Sequence, residues 1–184
     1  NLIIRGGKNG IYLGDFYANE GNACDHIRII NCDIAEWGRI PVSQASNGVW
    51  LDKDGTNWDY EAGIRVGYSS QIVIERCYVH DPCGKTNTWA GPTWASTHPF
   101  GPTAIALTQS DNSAICYNDL LGTRDHSYND VIQSLFNGMH NGGPYRDTDV
   151  YGNIFAFSND DGIELDGGAI NIRVYKNRFT MNFG

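Results

Sequence analysis

The chain is poor in positive charge. It carries 13 Lys and Arg against 21 Asp and Glu, a formal net charge of −8 and a pI near 4.9. Phosphate backbones are held by clustered Lys and Arg, so this balance argues against a nucleic-acid partner. An anionic polysaccharide would need a local basic patch. No apolar run is long enough to cross a membrane, and no secretory leader is read at the start. There is no C-x-x-C pair, so neither a zinc ribbon nor a thioredoxin-type motif has support. No glycine motif of the nucleotide-binding kind occurs, so no organic cofactor is expected. Methionine is scarce, at 2 residues.

Glycine (22) and aromatics (12%, with 10 Tyr and 5 Trp) are plentiful. Many glycines and aromatics without long helix-forming runs point to an all-β protein rich in turns. A length of 184 residues, 41% of them hydrophobic, suffices for one domain over 1–184 with a sizeable core. Both ends read as the middle of a pattern, which is the expectation for a mature product or a piece of a longer chain. The five cysteines allow two readings. Cys77/Cys83 and Cys24/Cys32 are spaced for local disulfides, or the cysteines are small buried residues in a stacked core.

An internal repeat organises the chain. "IRIINCDI" from Ile27, "IVIERCYV" from Ile72, "SAICYNDL" from Ser113, "DVYGNIFA" from Asp149 and "IRVYKNRF" from Ile172 share apolar alternation around a polar turn. Anchored on Asn31, Arg76, Asn118, Asn153 and Asn177, the steps are 45, 42, 35 and 24 residues. A second motif alternates with the first: "GIYL" at 10–13, "GIRV" at 63–66, "AIAL" at 104–107, "DVIQ" at 130–133 and "GIEL" at 162–165, with "GVWL" at 48–51 as an extra candidate. Short period-2 strands with insertions of variable length are the signature of a β-solenoid. Ile163 and Leu165, Ile105 and Leu107, and Ile64 and Val66 should stack as inward columns. Asn31, Asn118, Asn153 and Asn177 are candidates for a ladder of turn asparagines.

"SNDDGIELDGGAINIRVYKNRF", with "DTDVYGNIF" before it, resembles the right-handed parallel β-helix repeat proteins, the pectate-lyase-like, carbohydrate-active superfamily. The resemblance spans about Ile27 to Phe179. It implies an all-β, right-handed, single-stranded parallel β-helix of about six coils with long loop insertions. It further implies a secreted or cell-surface protein with a polysaccharide as its partner. It does not fix the reaction, because unrelated chemistries share this scaffold. The D-D at 160–161 has no G-H-G or R-I-K after it, which disfavours a polygalacturonase-type site.

The densest chemistry lies in 158–168. With Ile163 and Leu165 inward, Glu164 and Asp166 face outward, about 6.5–7 Å apart. That spacing suits the acid/base pair of an inverting glycosidase. Asp161 joins them from the preceding turn. Asp160 and Asp161 are also candidate calcium ligands, although the run lacks the spacing of a known calcium loop. Aligning Ile132 with Ile163 places Asp130 beside Asp161 and Gln133 beside Glu164. The column Arg65, Ala106, Gln133, Glu164 is then expected to line an open face.

"GTRDHSYND" at 122–130 offers Arg124, His126, Tyr128 and Asp130, with His126 the best candidate base. The glycine-rich stretch 136–149 offers His140 and Arg146, the latter also placed to pair with Asp147 or Asp149. The insertion at 81–103 offers Trp89 and Trp94 as sugar platforms or as cover for a solenoid flank. Three functions follow. The first is a glycoside hydrolase using Glu164, Asp166 and Asp161, with Asp130 and His126 assisting. The second is a polysaccharide lyase using His126, Tyr128 or an arginine as base, with calcium as a possible aid. The third is a non-catalytic carbohydrate-binding or surface-structural solenoid.

Overall fold

The structure, a computed structural model, describes residues 1–14, 24–57, 61–89, 98–134, 140 and 142–182. Among the described residues there is no helix, and nearly all strands are short and paired in parallel. Three sheets carry the architecture. The first runs β1 (Ile3–Arg5), β4 (Asp33–Ala35), β9 (Tyr78–His80), β13 (Asp119–Leu121), β17 (Ile154–Ser158) and β19 (Arg178–Asn182). The second runs β2 (Ile11–Leu13), β7 (Ala62–Gly67), β10 (Thr103–Thr108) and β14 (Ile132–Ser134). The third runs β3 (Arg28–Ile30), β8 (Val73–Glu75), β12 (Ala114–Cys116), β16 (Asp149–Tyr151) and β18 (Arg173–Tyr175). The chain visits the second, third and first sheets in turn, then repeats. This order is compatible with a parallel β-helix.

The alternation read in the sequence sets the register. Ile11, Ile64, Ile105 and Ile132 align across the second sheet, and Ile132 pairs with Ile163. Ile29, Ile74, Ile115, Val150 and Val174 align across the third. Ile34, Val79, Leu120 and Phe155 align across the first and are fully buried. One continuous core results, with Trp37 and Tyr128 stacked at its edge, centroids 6.2 Å apart.

The sharp turn between the third and first sheets has a specific chemistry. Asn31, Arg76, Tyr117, Gly152 and Lys176 all have φ between +52° and +69°. The residue after each one faces the stack: Cys32, Cys77, Asn118, Asn153 and Asn177. Asn118 and Asn153 each accept the backbone N–H of the turn one rung below, and each donates Nδ2 to a core carbonyl, Ile74 O and Ile115 O respectively. Asn177 continues the ladder, accepting from Asn153 N at 2.9 Å. Asn31 is therefore not a ladder residue. The left-handed turn shifts the stacking position by one, and Cys32 stands there. Cys77 follows it, its thiol donating to Ile29 O at 3.5 Å. All five cysteines are free, with Cys32, Cys77 and Cys116 buried. The disulfide reading fails, and the small-core-residue reading holds for those three.

Two other elements differ from expectation. "GVWL" forms β6 (Trp50–Leu51), which pairs antiparallel with β5 (Ser43–Gln44) as a hairpin outside the stack. "GIEL" makes only the single bridge at Ile163. Glu164 N still bonds Ile132 O at 2.9 Å, but the next ladder donor, Ser134 N, goes to the Glu164 Oε2 at 2.9 Å. A side chain has replaced the main-chain acceptor, so the strand ends and Leu165 stays half-buried, outside the core.

Candidate functional site: a carboxylate cluster at the edge of the second sheet

Residues 128–134 run alongside 158–164. Tyr128 pairs with Ser158 and Ile132 with Ile163. Ser158 and Ile163 are therefore five positions apart where Tyr128 and Ile132 are four. The extra residue is a bulge, and it falls on Asp160–Asp161. In a regular strand two successive side chains point to opposite faces. Here both carboxyls approach Asp130. One oxygen from each of Asp130, Asp160 and Asp161 lies within 4.8 Å of the others. Asp161 N donates to Asp130 Oδ1 at 2.9 Å and Asp160 N to Asn129 O at 3.0 Å.

The electrostatics are lopsided. Asp130 is 3% exposed. Burial pushes its carboxyl well above the usual range, and the charges of Glu164, Asp160 and Asp161 add to the shift. Burial also raises Asp160, helped by Asp161, and raises Asp161, helped by Asp166. The described basic side chain at the cluster is His98, whose Nε2 lies 3.5 Å from Asp160 Oδ2. His98 Nδ1 donates to Pro99 O at 2.7 Å, which fixes the proton on that nitrogen and turns Nε2 to the acid. Trp89 also hydrogen-bonds Asp160, and its ring meets His98 edge-on at 5.0 Å.

Asn87 anchors this insertion. Its Nδ2 donates to His98 O, its Oδ1 accepts from Phe100 N, and its backbone carbonyl accepts from Asn159 Nδ2 at 3.1 Å. The two arms of the 81–103 insertion are thus tied to each other and to the residue before Asp160. The sequence pattern gives neither His98 nor Asn87 a role. Their importance comes from contacts 62 to 72 residues away in sequence, which no local pattern carries.

The other expected site residues scatter. Glu164 and Asp166 are close enough to act electrostatically on Asp130 and on Asp160 and Asp161, but the Glu164 carboxylate caps Ser134 N. Arg65 and Gln133 do align through Ala106. That face is not open, however: Arg65 is 6% exposed, Ala106 0% and Gln133 3%. A parallel strand buried on both faces explains this, and the Arg65 guanidinium lies over the Tyr12 ring. Tyr128 is fully buried, its hydroxyl donating to Val79 O at 3.0 Å, so it belongs to the core. The described ring contact of His126 is Gly84 O, away from the carboxylates. Arg124 and His140 are exposed. Arg146 pairs with Asp111 on the neighbouring rung at 3.1 Å, rather than with Asp147 or Asp149. Trp94 lies outside the described residues.

A cation would find three carboxylate oxygens here, fewer than the six to eight oxygens calcium takes. The donor chemistry fits and the described protein ligands supply part of the shell. No protein family, no curated protein and no solved structure matches the chain.

Proposed function

We propose that the chain is a right-handed parallel β-helix of the pectate-lyase-like kind, and that it is a secreted enzyme that hydrolyses a polysaccharide at the Asp130–Asp160–Asp161 cluster. The β-helix reading is supported by six parallel strands in one sheet and by a repeated route through three sheets. The catalytic reading rests on one observation: three carboxylate oxygens within 4.8 Å, in surroundings whose burial raises all three carboxyls above the usual range. Asp160, half-buried beside Trp89 and raised by that burial, is the member placed to give a proton to a leaving oxygen. Asp161, the exposed member, attacks or stabilises the sugar carbon. Asp130 stands behind both and supports the raised pKa values. The nearest oxygens approach within 4.8 Å, which leaves less room for a water between the carboxyls than the roughly 6.5–9.5 Å of inverting enzymes and favours a retaining reaction. Glu164 and Asp166 then shape the field rather than form the pair.

A second reading draws on the same three oxygens, namely a cation-dependent lyase. The expected lyase groups weigh against it, since Arg146 is committed to Asp111 and His126 contacts Gly84. A polysaccharide panel decides, read for new reducing ends and for the ultraviolet absorbance of an unsaturated uronate. Reducing ends without absorbance, insensitive to chelator, support hydrolysis. Absorbance lost on chelation supports the lyase. Neither signal on any substrate would leave a binding or structural solenoid.

A further inference from the structure

A second site lies on the outer face of the third sheet. A groove of about 510 Å³ is lined there by His26, Arg28, Gln71, Val73, Asn112, Ser113, Ala114, Asp147 and Asp149. None of these residues belongs to the carboxylate cluster. The groove's floor is one register column: Arg28, Val73, Ala114 and Asp149, with Arg173 beyond. Its two middle members are short and apolar, so the floor is low between charged ends. Its wall is the preceding turn, with His26, Gln71, Asn112 and Asp147, one per rung. All four have φ between +47° and +58°, so the same backbone conformation presents each side chain. Rungs repeat at about 4.8 Å, close to the advance of one pyranose unit along an extended glycan. The groove crosses the strands instead of following an edge, so a peptide would find no main-chain ladder to join.

The charges choose among polymers. Arg28 pairs with Glu75 at 3.6 Å, and Arg173 holds both Asp149 oxygens at 2.6 and 2.7 Å. Arg76 also holds Glu75, at 2.7 Å, and Asp147 is hydrogen-bonded by the neutral Asn171 amide, so three guanidiniums stand against three carboxylates. A polyanion meets no net positive field here. A neutral glycan meets imidazole, amide and carboxylate groups for its hydroxyls and a methyl-lined floor for its C–H face.

We propose that this groove binds a neutral polysaccharide strand laid along the stacking direction, as a substrate-holding site separate from the carboxylate cluster. The test is affinity electrophoresis in gels containing neutral glucans, mannans or xylans, with polyuronate gels beside them. Wild type should be retarded in at least one neutral gel. Ala114→Trp, which fills the floor, and the double change Gln71→Ala/Asn112→Ala, which strips the wall, should each weaken retention about tenfold. Asp161→Asn should be retarded like wild type. Circular dichroism checks folding, and the double variant changes only exposed side chains, so it keeps the test sound if Ala114→Trp misfolds. Unchanged retention in the folded groove variants overturns the proposal. So does retardation only in polyuronate gels, none in neutral gels, or loss of binding in Asp161→Asn. Absence of cleavage products would sink the hydrolase reading and leave this result standing.

Discussion

Two groups of buried acids sit in this molecule under opposite conditions. Around Arg39, Glu61 is 1% exposed and Asp52 5%. The guanidinium reaches both: Nε donates to Glu61 Oε1, Nη1 to Asp52 Oδ2 at 2.9 Å, and Nη2 to Asn57 O. Asp52 also accepts the backbone N–H groups of Thr56 and Asp54. Those bonds, the Thr56 hydroxyl and Arg39 hold its carboxyl far below the usual range. Around Asp130 the same residue type is as little exposed, but no guanidinium offsets its burial among the described contacts: neighbouring carboxylates converge, the described basic group is the His98 imidazole, and burial first, then charge, raises the pKa values. Burial alone therefore does not distinguish structure from function; compensation does. A compensated network ties Arg39 to Asp52, Thr56, Asn57 and Glu61. An uncompensated one raises its carboxyl pKa values, a common feature of sites that do acid–base chemistry.

The comparison breaks most sharply through activity. Asp160→Asn and Asp161→Asn should each lower turnover about 10²- to 10⁴-fold on any polysaccharide the enzyme cleaves. Both should leave the unfolding midpoint equal or higher, since each removes a carboxylate from a repulsive cluster. Arg39→Ala should do the reverse. Stability should drop by about 2–3 kcal/mol in urea unfolding, because two buried carboxylates lose their shared partner, while cleavage per folded molecule is kept.

The third prediction concerns pH. The Asp130 carboxyl is raised in the folded state, so folding takes up a proton there. Its stabilising contribution is complete below the ordinary carboxylate range and is lost as pH rises through the folded value. Asp130→Asn should flatten that loss. Urea unfolding at a series of pH values should show wild type and variant drawing apart above roughly pH 4. Parallel curves would mean that Asp130 titrates normally. The smallest effect belongs to the ladder. Asn118→Ala leaves Cys77 N–H and Ile74 O without their partner, a loss of about 1–3 kcal/mol, with the pH dependence unchanged.

Much of this was legible in the sequence. The Ile64, Ile105, Ile132 and Ile163 register follows from period-2 alternation, and so does the Asp130–Asp161 approach. Three features were not. The left-handed turn residue displaces the ladder by one position, which no polar anchor reveals when Cys32 and Cys77 stand where asparagine is expected. The bulge that turns Asp160 and Asp161 toward one neighbour depends on pairing with 128–132, which alternation within 158–168 does not reveal. The His98–Trp89–Asn87 arm reaches the cluster from an insertion whose length hides its destination.

The most direct test is a pH titration of the side-chain carboxyl carbons of Asp130, Asp160, Asp161 and Asp52 by carbon NMR. The account requires the first three to titrate above the ordinary carboxylate range, Asp130 highest, with Asp52 still ionised at the lowest pH the fold survives. If Asp130, Asp160 and Asp161 titrate at or below the ordinary range, the cluster holds no protons to donate, and the proposed acid–base site is wrong.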